Sequence, residues 1–270
     1  MRLGLIGFGT IGQTLIQSLQ DDPSLEWVAV MDTSEQAKAK AARSLPESVR
    51  ITDHLEDLLE ARPDFVIEAA SQGAVRAFAE PLLREGISLM ILSTGAFADR
   101  DLFYQCVEQA RANRARILVP TGAIAGLDAV RALAERPIYK AILTTTKPPD
   151  SLQDAPYVQE HDMDLFRYSS VTQIFEGSPF EVVQAFPRNT NVAMAFTLAL
   201  EGKIEPVVRV QVDPTSRENV HELFVDGEVG CLQMKVRNKP FPLNPKTSYL
   251  AALSAVRTIR DLLSPIQIGG

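Results

Sequence analysis

The sequence predicts an α/β fold, in which a doubly wound parallel sheet is followed by a smaller α+β domain. In the first half, short apolar runs alternate with longer amphipathic stretches. This alternation is typical of a parallel sheet, because its strands are buried on both faces and need crossover helices between them. After Gly126 the pattern changes to β-rich runs separated by turn residues. We therefore expect domains at residues 1–125 and 126–240, and a C-terminal helical segment at 241–270 that packs back on the first domain.

The individual elements follow from these patterns in chain order. The predicted strands of the first sheet are RLGLIG (2–7), WVAVMD (27–32), DFVIEAA (64–70), ISLMILS (87–93) and RILVPTG (116–122). Those of the second domain are KAILTTTKPP (140–149), EVVQAF (181–186), EPVVRVQV (205–212), ELFVDG (222–227) and GCLQMKVRN (230–238). The last element is a helix over 244–263, capped by Asn244 with Pro245 in its first turn. Its apolar stripe comprises Leu250, Leu253, Val256, Ile259 and Leu263.

The composition indicates an ordinary globular protein. The 270 residues are 46% hydrophobic and 23% charged, and no apolar run approaches the roughly 18 residues that span a bilayer. A net charge of −7 without a basic stripe argues against nucleic acid and anionic membranes as partners. The first residues resemble no signal peptide, so we expect a soluble cytoplasmic protein.

The sequence does not indicate a metal site or the active site of a serine hydrolase. Cys106 and Cys231 lie far apart and form no cluster with a histidine, so neither a disulfide scaffold nor a metal site is expected. No G-x-S-x-G motif of a serine hydrolase is present. His54 and His161 lie in polar segments and are interpreted as surface residues.

Gly7, Gly9 and Gly12 form a G-x-G-x-x-G pattern whose context predicts a dinucleotide-binding Rossmann domain. A predicted strand precedes the glycines, a predicted helix follows them, and Asp32 ends the next strand. Gly7 permits a tight turn, Gly9 lets backbone N–H groups approach a pyrophosphate, and Gly12 allows the helix to pack closely on the strand. An ordinary strand-to-helix turn is the alternative interpretation.

The surrounding residues extend this predicted cofactor site. The phosphates would face the start of the helix at Thr10 and Ile11. Asp32 would accept hydrogen bonds from the ribose hydroxyls and repel a 2′-phosphate, which favours NAD over NADP without excluding NADP. Ala70 is the last residue of the predicted strand DFVIEAA and Ser71 follows it, and small residues at this strand end leave room for the nicotinamide riboside.

The reacting groups are expected from the second half of the chain. His221 directly precedes the predicted strand ELFVDG, and a lone imidazole beside a redox cofactor suits a general acid or base, although such a histidine is more often structural. Asn189 and Asn191 precede an apolar helix, which they either cap or use to present an amide to a cofactor or substrate. The small residues of VPTGAIAGLDA (119–129) suit either a close approach to the cofactor or a domain hinge.

Several longer motifs resemble those of the L-aspartate dehydrogenase family over the whole chain. They are GLIGFGTIG, EAAS, LSTGAF, PTGAIAGLDA, TTTKPP, FEGSPFEVVQAFPRNTNVA, DPTSRENVHEL and NPKTSYLAALSA. The resemblance implies NAD(P)-dependent oxidative deamination of L-aspartate to iminoaspartate, and then to oxaloacetate and ammonia. It implies that His221 is the catalytic histidine and that the cofactor is contacted by Ala123, Ala125, Gly126 and Asn191. It also implies a homo-oligomer, which we expect to be a dimer.

A dicarboxylate substrate needs cations or hydrogen-bond donors. The candidates are Lys147, Arg188, Lys246, Asn189 and the start of a helix near Thr247, although each also suits an exposed charge or a cap. Relatives often carry an arginine where this chain has Thr146. The alternatives are a homoserine-type dehydrogenase of the same two-domain build and a non-catalytic NAD-sensing protein.

Overall fold

The computed structural model describes residues 1–187, 190–241 and 244–269. The chain divides into two compact units. Unit 1 comprises Met1–Pro120 and Ala255–Pro265, and unit 2 comprises Thr121–Ser254 and Ile266–Gly270. Among the described residues, no helix is both long and apolar enough to cross a membrane.

Unit 1 contains a six-stranded parallel sheet. Its strands are β1 (Arg2–Ile6), β2 (Glu26–Met31), β3 (Arg50–Thr52), β4 (Phe65–Glu68), β5 (Ser88–Ile91) and β6 (Ile117–Leu118). Their order is β3-β2-β1-β4-β5-β6, and every neighbouring pair is parallel. This is the strand order of a Rossmann sheet, in which a ligand binds beyond the carboxyl ends of the strands where the order reverses, beside β1. The predicted doubly wound parallel sheet is confirmed.

Helices connect the strands of unit 1. They are α1 (Thr10–Leu19), α2 (Glu35–Ser44), α3 (Leu55–Glu60), α4 (Gln72–Arg84) and α5 (Arg100–Ala112), with a 3₁₀ helix at Thr94–Ala98. The core is formed where apolar residues of α1, such as Leu15 and Leu19, pack against Leu5 and Val30 of the sheet. Because β1 and β2 are central strands, their carboxyl ends are fixed by a core on both sides.

Unit 2 contains a five-stranded mixed sheet and helices, which confirms the predicted α+β second part. The strands are β7 (Ile138–Lys147), β8 (Thr172–Gly177), β9 (Val207–Val212), β10 (Asn219–Gly227) and β11 (Gly230–Asn238), in the order β11-β10-β7-β9-β8. The helices are α6 (Leu127–Leu133), α7 (Pro149–Leu152), α8 (Pro156–Glu160), α9 (Pro179–Ala185) and α10 (Thr190–Ala199). A short ribbon follows, formed by β12 (Pro240–Phe241) and β13 (Asn244–Ser248).

The predicted strand EVVQAF is wrong, because these residues belong to helix α9. Ser178 and Glu181 form a reciprocal capping box, and Pro179 occupies the first helical position. These local hydrogen bonds satisfy the first N–H groups of the helix and outweigh the β propensity of the two valines.

The predicted start of the C-terminal helix is also wrong. Asn244 and Pro245 lie in β13, and the last helix, α11, spans Tyr249–Leu263. The residues that the sequence pattern assigned to the first turn of the helix instead pair with β12 as a strand. The buried face differs as well: Leu250 and Leu253 are 38% and 40% exposed. The side chains of α11 that are buried are Ala252, Ala255, Val256 and Ile259, of which the last three join the core of unit 1.

Candidate active site

The glycine turn between β1 and α1 is shaped by two close backbone approaches. Gly7 has a φ of +96°, and a Cβ placed there would lie 2.7 Å from the carbonyl oxygen of Ala69. A Cβ on Gly12 would lie 2.1 Å from the carbonyl oxygen of Gly7. A Cβ on Gly9, in contrast, would meet no atom within 4 Å. Packing therefore requires glycine at positions 7 and 12, whereas Gly9 borders open space that a ligand can occupy.

The start of α1 suits an anion. Gly9 is the N-cap residue and supplies no side-chain cap, and the first turn contains no acidic residue. The N–H groups around Thr10 and Ile11 therefore add their dipoles to the positive end of a ten-residue helix. A pyrophosphate fits this arrangement.

Asp32 is held against the glycine turn at the end of β2. Its Oδ2 accepts a hydrogen bond from the N–H of Phe8 at 2.7 Å, and its Oδ1 accepts one from the N–H of Ser34 at 2.8 Å. Each carboxylate oxygen keeps a second lone pair for a ribose hydroxyl. The residues present thus fit a dinucleotide, with the phosphates at α1 and a ribose at Asp32.

Glu68 is a residue of this site that the sequence reasoning did not single out. It ends β4, is 1% exposed, and accepts four hydrogen bonds, from the N–H groups of Ala70, Ser71 and Ser93 and from the Ser93 hydroxyl. Burial raises the pKa of Glu68, against the lowering effect of these hydrogen bonds. Glu68 therefore ties the loops that follow β4 and β5 together. The sequence signal that could have identified Glu68 is a charged residue at the end of the apolar run of β4.

His221 lies inside β10 rather than before it, which corrects the sequence interpretation. Its register partner on β7 is Thr145, and the Nδ1 of the imidazole lies 3.0 Å from the Thr145 hydroxyl oxygen. The residue is 4% exposed. Burial, together with the nearby charge of Lys147, lowers the pKa of His221 to about 3. The imidazole is therefore neutral at pH 7, and its Nδ1 is engaged by Thr145.

Lys147 is buried, so the alternative that it is an exposed charge is wrong. It is 7% exposed, and burial lowers its pKa to about 8. Because side chains alternate along a strand, Lys147 shares a sheet face with Thr145 and His221, whereas Thr146 lies on the opposite face. There the Thr146 hydroxyl donates to Oε1 of Gln211 at 3.0 Å. An arginine at position 146 would thus point away from His221, and Thr146 leaves this cluster intact.

The loop that contains Ala123, Ala125 and Gly126, called the alanine-rich loop below, lies against β11. This strand is the neighbour of β10, which carries His221. The side-chain amide of Asn238 donates to the carbonyl oxygen of Ala123 at 2.8 Å. Gly126 has a φ of +73°, and a Cβ there would lie 2.6 Å from Cε of Met234. Ala125 is half-buried between them. Unit 2 therefore brings this loop close to the strand pair that carries His221.

The structure describes only some of the other predicted site residues. Asn191 is exposed in the first turn of α10, and α10 contacts α6, which follows the alanine-rich loop. Arg188 and Asn189 lie outside the described residues, as do the side chains of Lys246 and Thr247. The backbone of Lys246 and Thr247 is in β13, so the predicted helix start near Thr247 is wrong. Within the described parts of the chain, no group of histidines, cysteines and carboxylates could hold a metal ion.

Comparison with known proteins identifies similar sequences for both parts of the chain. The family model "Aspartate dehydrogenase, C-terminal" matches residues 128–262, and the model "Homoserine dehydrogenase, NAD binding domain" matches residues 7–120. The L-aspartate dehydrogenase of Methanosarcina mazei is 40% identical over 100% of this chain and 99% of its own length. That of Archaeoglobus fulgidus is 38% identical, covering 97% of this chain and 98% of its own. The crystal structure of aspartate dehydrogenase from Thermotoga maritima has a TM-score of 0.78 and 27% identity, covering 100% of this chain and 99% of its own.

Replacing Gly9 by alanine should weaken dinucleotide binding without weakening the fold. The new Cβ meets no protein atom, so we expect the free energy of unfolding to change by less than about 1 kcal/mol, while NADH affinity falls at least about tenfold because the Cβ blocks the approach of the pyrophosphate. Gly12→Ala is the matched variant: its Cβ overlaps the Gly7 carbonyl oxygen, so it should lose more than about 2 kcal/mol of stability. Urea unfolding and NADH titration measure both. Normal NADH affinity in Gly9→Ala would contradict the assignment.

Proposed function

The chain belongs to the aspartate dehydrogenase family, and we propose that it oxidatively deaminates L-aspartate with NAD(P), giving iminoaspartate and then oxaloacetate and ammonia. One observation carries the assignment of roles: His221 is a buried imidazole, neutral at pH 7, on the same sheet face as the buried Lys147. An amino-acid oxidation needs a base for the amine, and a dicarboxylate needs a cation. Unit 2 provides one residue of each kind.

The two family models argue against a homoserine-type enzyme. The N-terminal residues match a homoserine dehydrogenase model, but that model covers only the NAD-binding part. The part that carries His221 matches the aspartate dehydrogenase model instead. Since the second domain supplies the reacting groups in two-domain dehydrogenases, we assign the substrate from this part. The same match to an enzyme family argues against a protein that only senses NAD.

Lys147 is proposed to bind a substrate carboxylate. A buried ammonium attracts a carboxylate more strongly than an exposed one, because little water screens the pair. The substrate charge also acts on His221. Lys147 is one of the two causes of the low pKa of the imidazole, so a carboxylate placed beside Lys147 offsets that charge and makes the imidazole a stronger base. We also retain Asn189, Arg188 and Lys246 as proposed substrate residues.

His221 is proposed to move the protons. The α-amino group of aspartate is protonated at neutral pH, and its nitrogen must have a free lone pair before the C–H bond can break. Nε2 of His221 takes that proton, while Thr145 holds Nδ1 and fixes the orientation of the ring. Once this proton has been released to solvent and the imidazole is neutral again, Nε2 takes a proton from the water that attacks the imine carbon.

The cofactor is proposed to be held by Gly7, Gly9, Gly12 and Asp32, with contributions from these further residues: Thr10, Ile11, Ala70, Ser71, Ala123, Ala125, Gly126 and Asn191. When bound, the nicotinamide supplies the acceptor for the hydride that leaves the substrate Cα. Asp32 favours NAD, because its carboxylate repels a 2′-phosphate. We place the enzyme in the cytoplasm, since Cys106 and the exposed Cys231 are both free thiols.

We further propose a homodimer formed through the sheet of unit 2. On the His221 face, Val210 and Val212 lie in an apolar cluster with the helix residues Leu152 and Val158. The opposite face of the sheet has a shallow trough of about 510 Å³ that is formed by residues of β7, β9, β10 and β11. It is lined by Ile142, Thr144, Gln211, Glu222, Phe224 and Lys235, among others. A twofold axis would bring the same face of a second copy onto this trough and bury Phe224 in both copies.

The activity is tested by following NADH formation with purified protein. We expect L-aspartate to have a kcat/KM at least about tenfold above D-aspartate, L-glutamate and L-homoserine, because the buried cation and base fit only one arrangement of the amine and second carboxylate. NAD should be preferred to NADP, owing to Asp32. A higher kcat/KM for L-homoserine would overturn the substrate assignment.

His221→Ala should lower kcat by roughly a hundredfold or more, because it removes the imidazole that is proposed to take the amine proton. NADH affinity should stay near that of the unchanged protein. His161→Ala is the control, since His161 is exposed at the end of α8 and its loss should leave kcat unchanged. The assignment fails if His221→Ala keeps full turnover.

Thr144→Arg should convert the dimer to a monomer. The two copies would each place a new guanidinium on the shared face, and these like charges would repel across the twofold axis. Light scattering after size-exclusion chromatography measures the mass. Tyr104→Arg, at a residue 62% exposed in unit 1, should leave the mass unchanged. A monomeric starting protein, or a Thr144→Arg variant with the full dimer mass, would refute the proposed interface.

A further inference from the structure

Asn219 buries a hydrogen-bond acceptor that the fold does not use. The residue is 5% exposed, and its Oδ1 has no hydrogen-bond partner among the described residues. Buried polar side-chain atoms are nearly always paired, because leaving one unpaired disfavours the folded state. An orphan acceptor in this position therefore needs an explanation.

Asn219 lies next to the proposed chemistry. It precedes His221 by two residues in β10, so both side chains lie on the same face of the sheet. The strand register pairs His221 with Thr145 and Val220 with Thr146. Continuing that register by one residue brings Asn219 opposite Lys147. The orphan oxygen thus shares its face with the imidazole and the buried ammonium.

On the neighbouring strand β11, the fold provides hydrogen-bond partners for a side-chain amide directly beside Asn219. Asn238 is the register partner of Asn219 on β11 and is equally buried, at 4% exposure. Its Nδ2 donates to the Ala123 carbonyl oxygen at 2.8 Å, and its Oδ1 accepts from the Ser248 hydroxyl at 2.9 Å. Two asparagines with the same burial therefore differ in one respect: only Asn238 has partners at both ends of its amide.

A carbonyl oxygen requires a donor, and the proposed substrate offers one kind. At neutral pH both carboxylates of L-aspartate are ionised and only accept hydrogen bonds, so its N–H groups are its only donors. Resting on the proposed function, we infer that Asn219 binds the amino nitrogen of the substrate, with Oδ1 accepting one N–H while another N–H is directed to His221. The amide oxygen is too weak a base to take a proton itself. It fixes the nitrogen so that the proton goes to Nε2.

The test is the effect of Asn219→Leu on reductive amination of oxaloacetate. Leucine has a similar volume but no acceptor, so the KM for ammonium should rise roughly tenfold or more, as expected for the loss of a buried hydrogen bond. The KM for NADH should stay within about twofold, because the cofactor does not use this oxygen. An ammonium KM within about twofold of the original value, or an equal rise in both KM values, would overturn the inference.

A stability measurement tests the inference independently of turnover. Replacing an unpaired buried amide by an apolar side chain removes a desolvation cost, so Asn219→Leu should melt at the same temperature as the unchanged protein or above it. Asn238→Leu should melt several degrees lower, because it leaves the Ala123 carbonyl and the Ser248 hydroxyl without their partner. If Asn219→Leu melts as low as Asn238→Leu or fails to fold, Asn219 is a structural residue and the inference is wrong.

The variant Asn219→Asp separates the role of the side-chain oxygen as a hydrogen-bond acceptor from that of the side-chain N–H₂ group as a donor. Aspartate keeps an acceptor at the same place and loses the N–H₂ donor, so the ammonium KM should stay closer to the original value than in Asn219→Leu. A loss as large as that of the leucine variant would contradict the role of the oxygen. Failure of the proposed function looks different: the unchanged protein would then not aminate oxaloacetate at all.

Discussion

A buried imidazole beside a buried ammonium is the constraint on which the proposed chemistry depends. Burial lowers the pKa of His221 to about 3, with a smaller contribution from the charge of Lys147, and burial lowers the pKa of Lys147 to about 8. The sheet imposes this proximity, because β7 and β10 are neighbours and their register pairs Thr145 with His221. In the proposed function, a substrate carboxylate beside Lys147 offsets the positive charge of the ammonium. This proposal couples substrate binding to the basicity of the imidazole, so that the base becomes stronger when the amine that it is proposed to deprotonate is present.

Unit 1 follows a different principle, in which close backbone approaches shape the site and two carboxylates hold its backbone N–H groups in place. Gly7 and Gly12 are required by approaches of 2.7 Å and 2.1 Å that any Cβ would make to carbonyl oxygens. Those approaches bring the turn close to the start of α1, and the carboxylate of Asp32 holds the N–H of Phe8 from the end of β2. Glu68 has a similar role at the end of β4, on the other side of β1, where it accepts hydrogen bonds from N–H groups of the loops after β4 and β5. Rigid strand ends keep these groups in place before a ligand arrives, so little ordering is needed on binding.

Local patterns in the sequence were sufficient for the parallel sheet and the glycine turn, since apolar runs and glycine spacing report directly on burial and on backbone geometry. The errors arose where two local signals competed or where a distant strand decided. EVVQAF has the composition of a strand, yet the capping box of Ser178 and Glu181 makes it helical. Asn244 resembles a helix cap, yet pairing with β12 places it in a strand. In the site, the family resemblance identified His221, but Thr145 and Asn219 depend on cross-strand register and burial, which no single-sequence pattern reports.

The contrast between Asn219 and Asn238 bears on how the site of unit 2 is organised. Selection for stability alone favours either a partner for a buried amide or an apolar residue in its place. Asn238 meets the first condition and thereby fixes the alanine-rich loop to β11. Asn219 meets neither, because its Oδ1 has no hydrogen-bond partner within the part of the chain that the structure describes. An unpaired acceptor and a buried lysine with a lowered pKa each leave the folded protein less stable than it could be. A ligand that carries both N–H donors and a carboxylate would relieve both deficits, which supports the proposal that this face binds an amino acid.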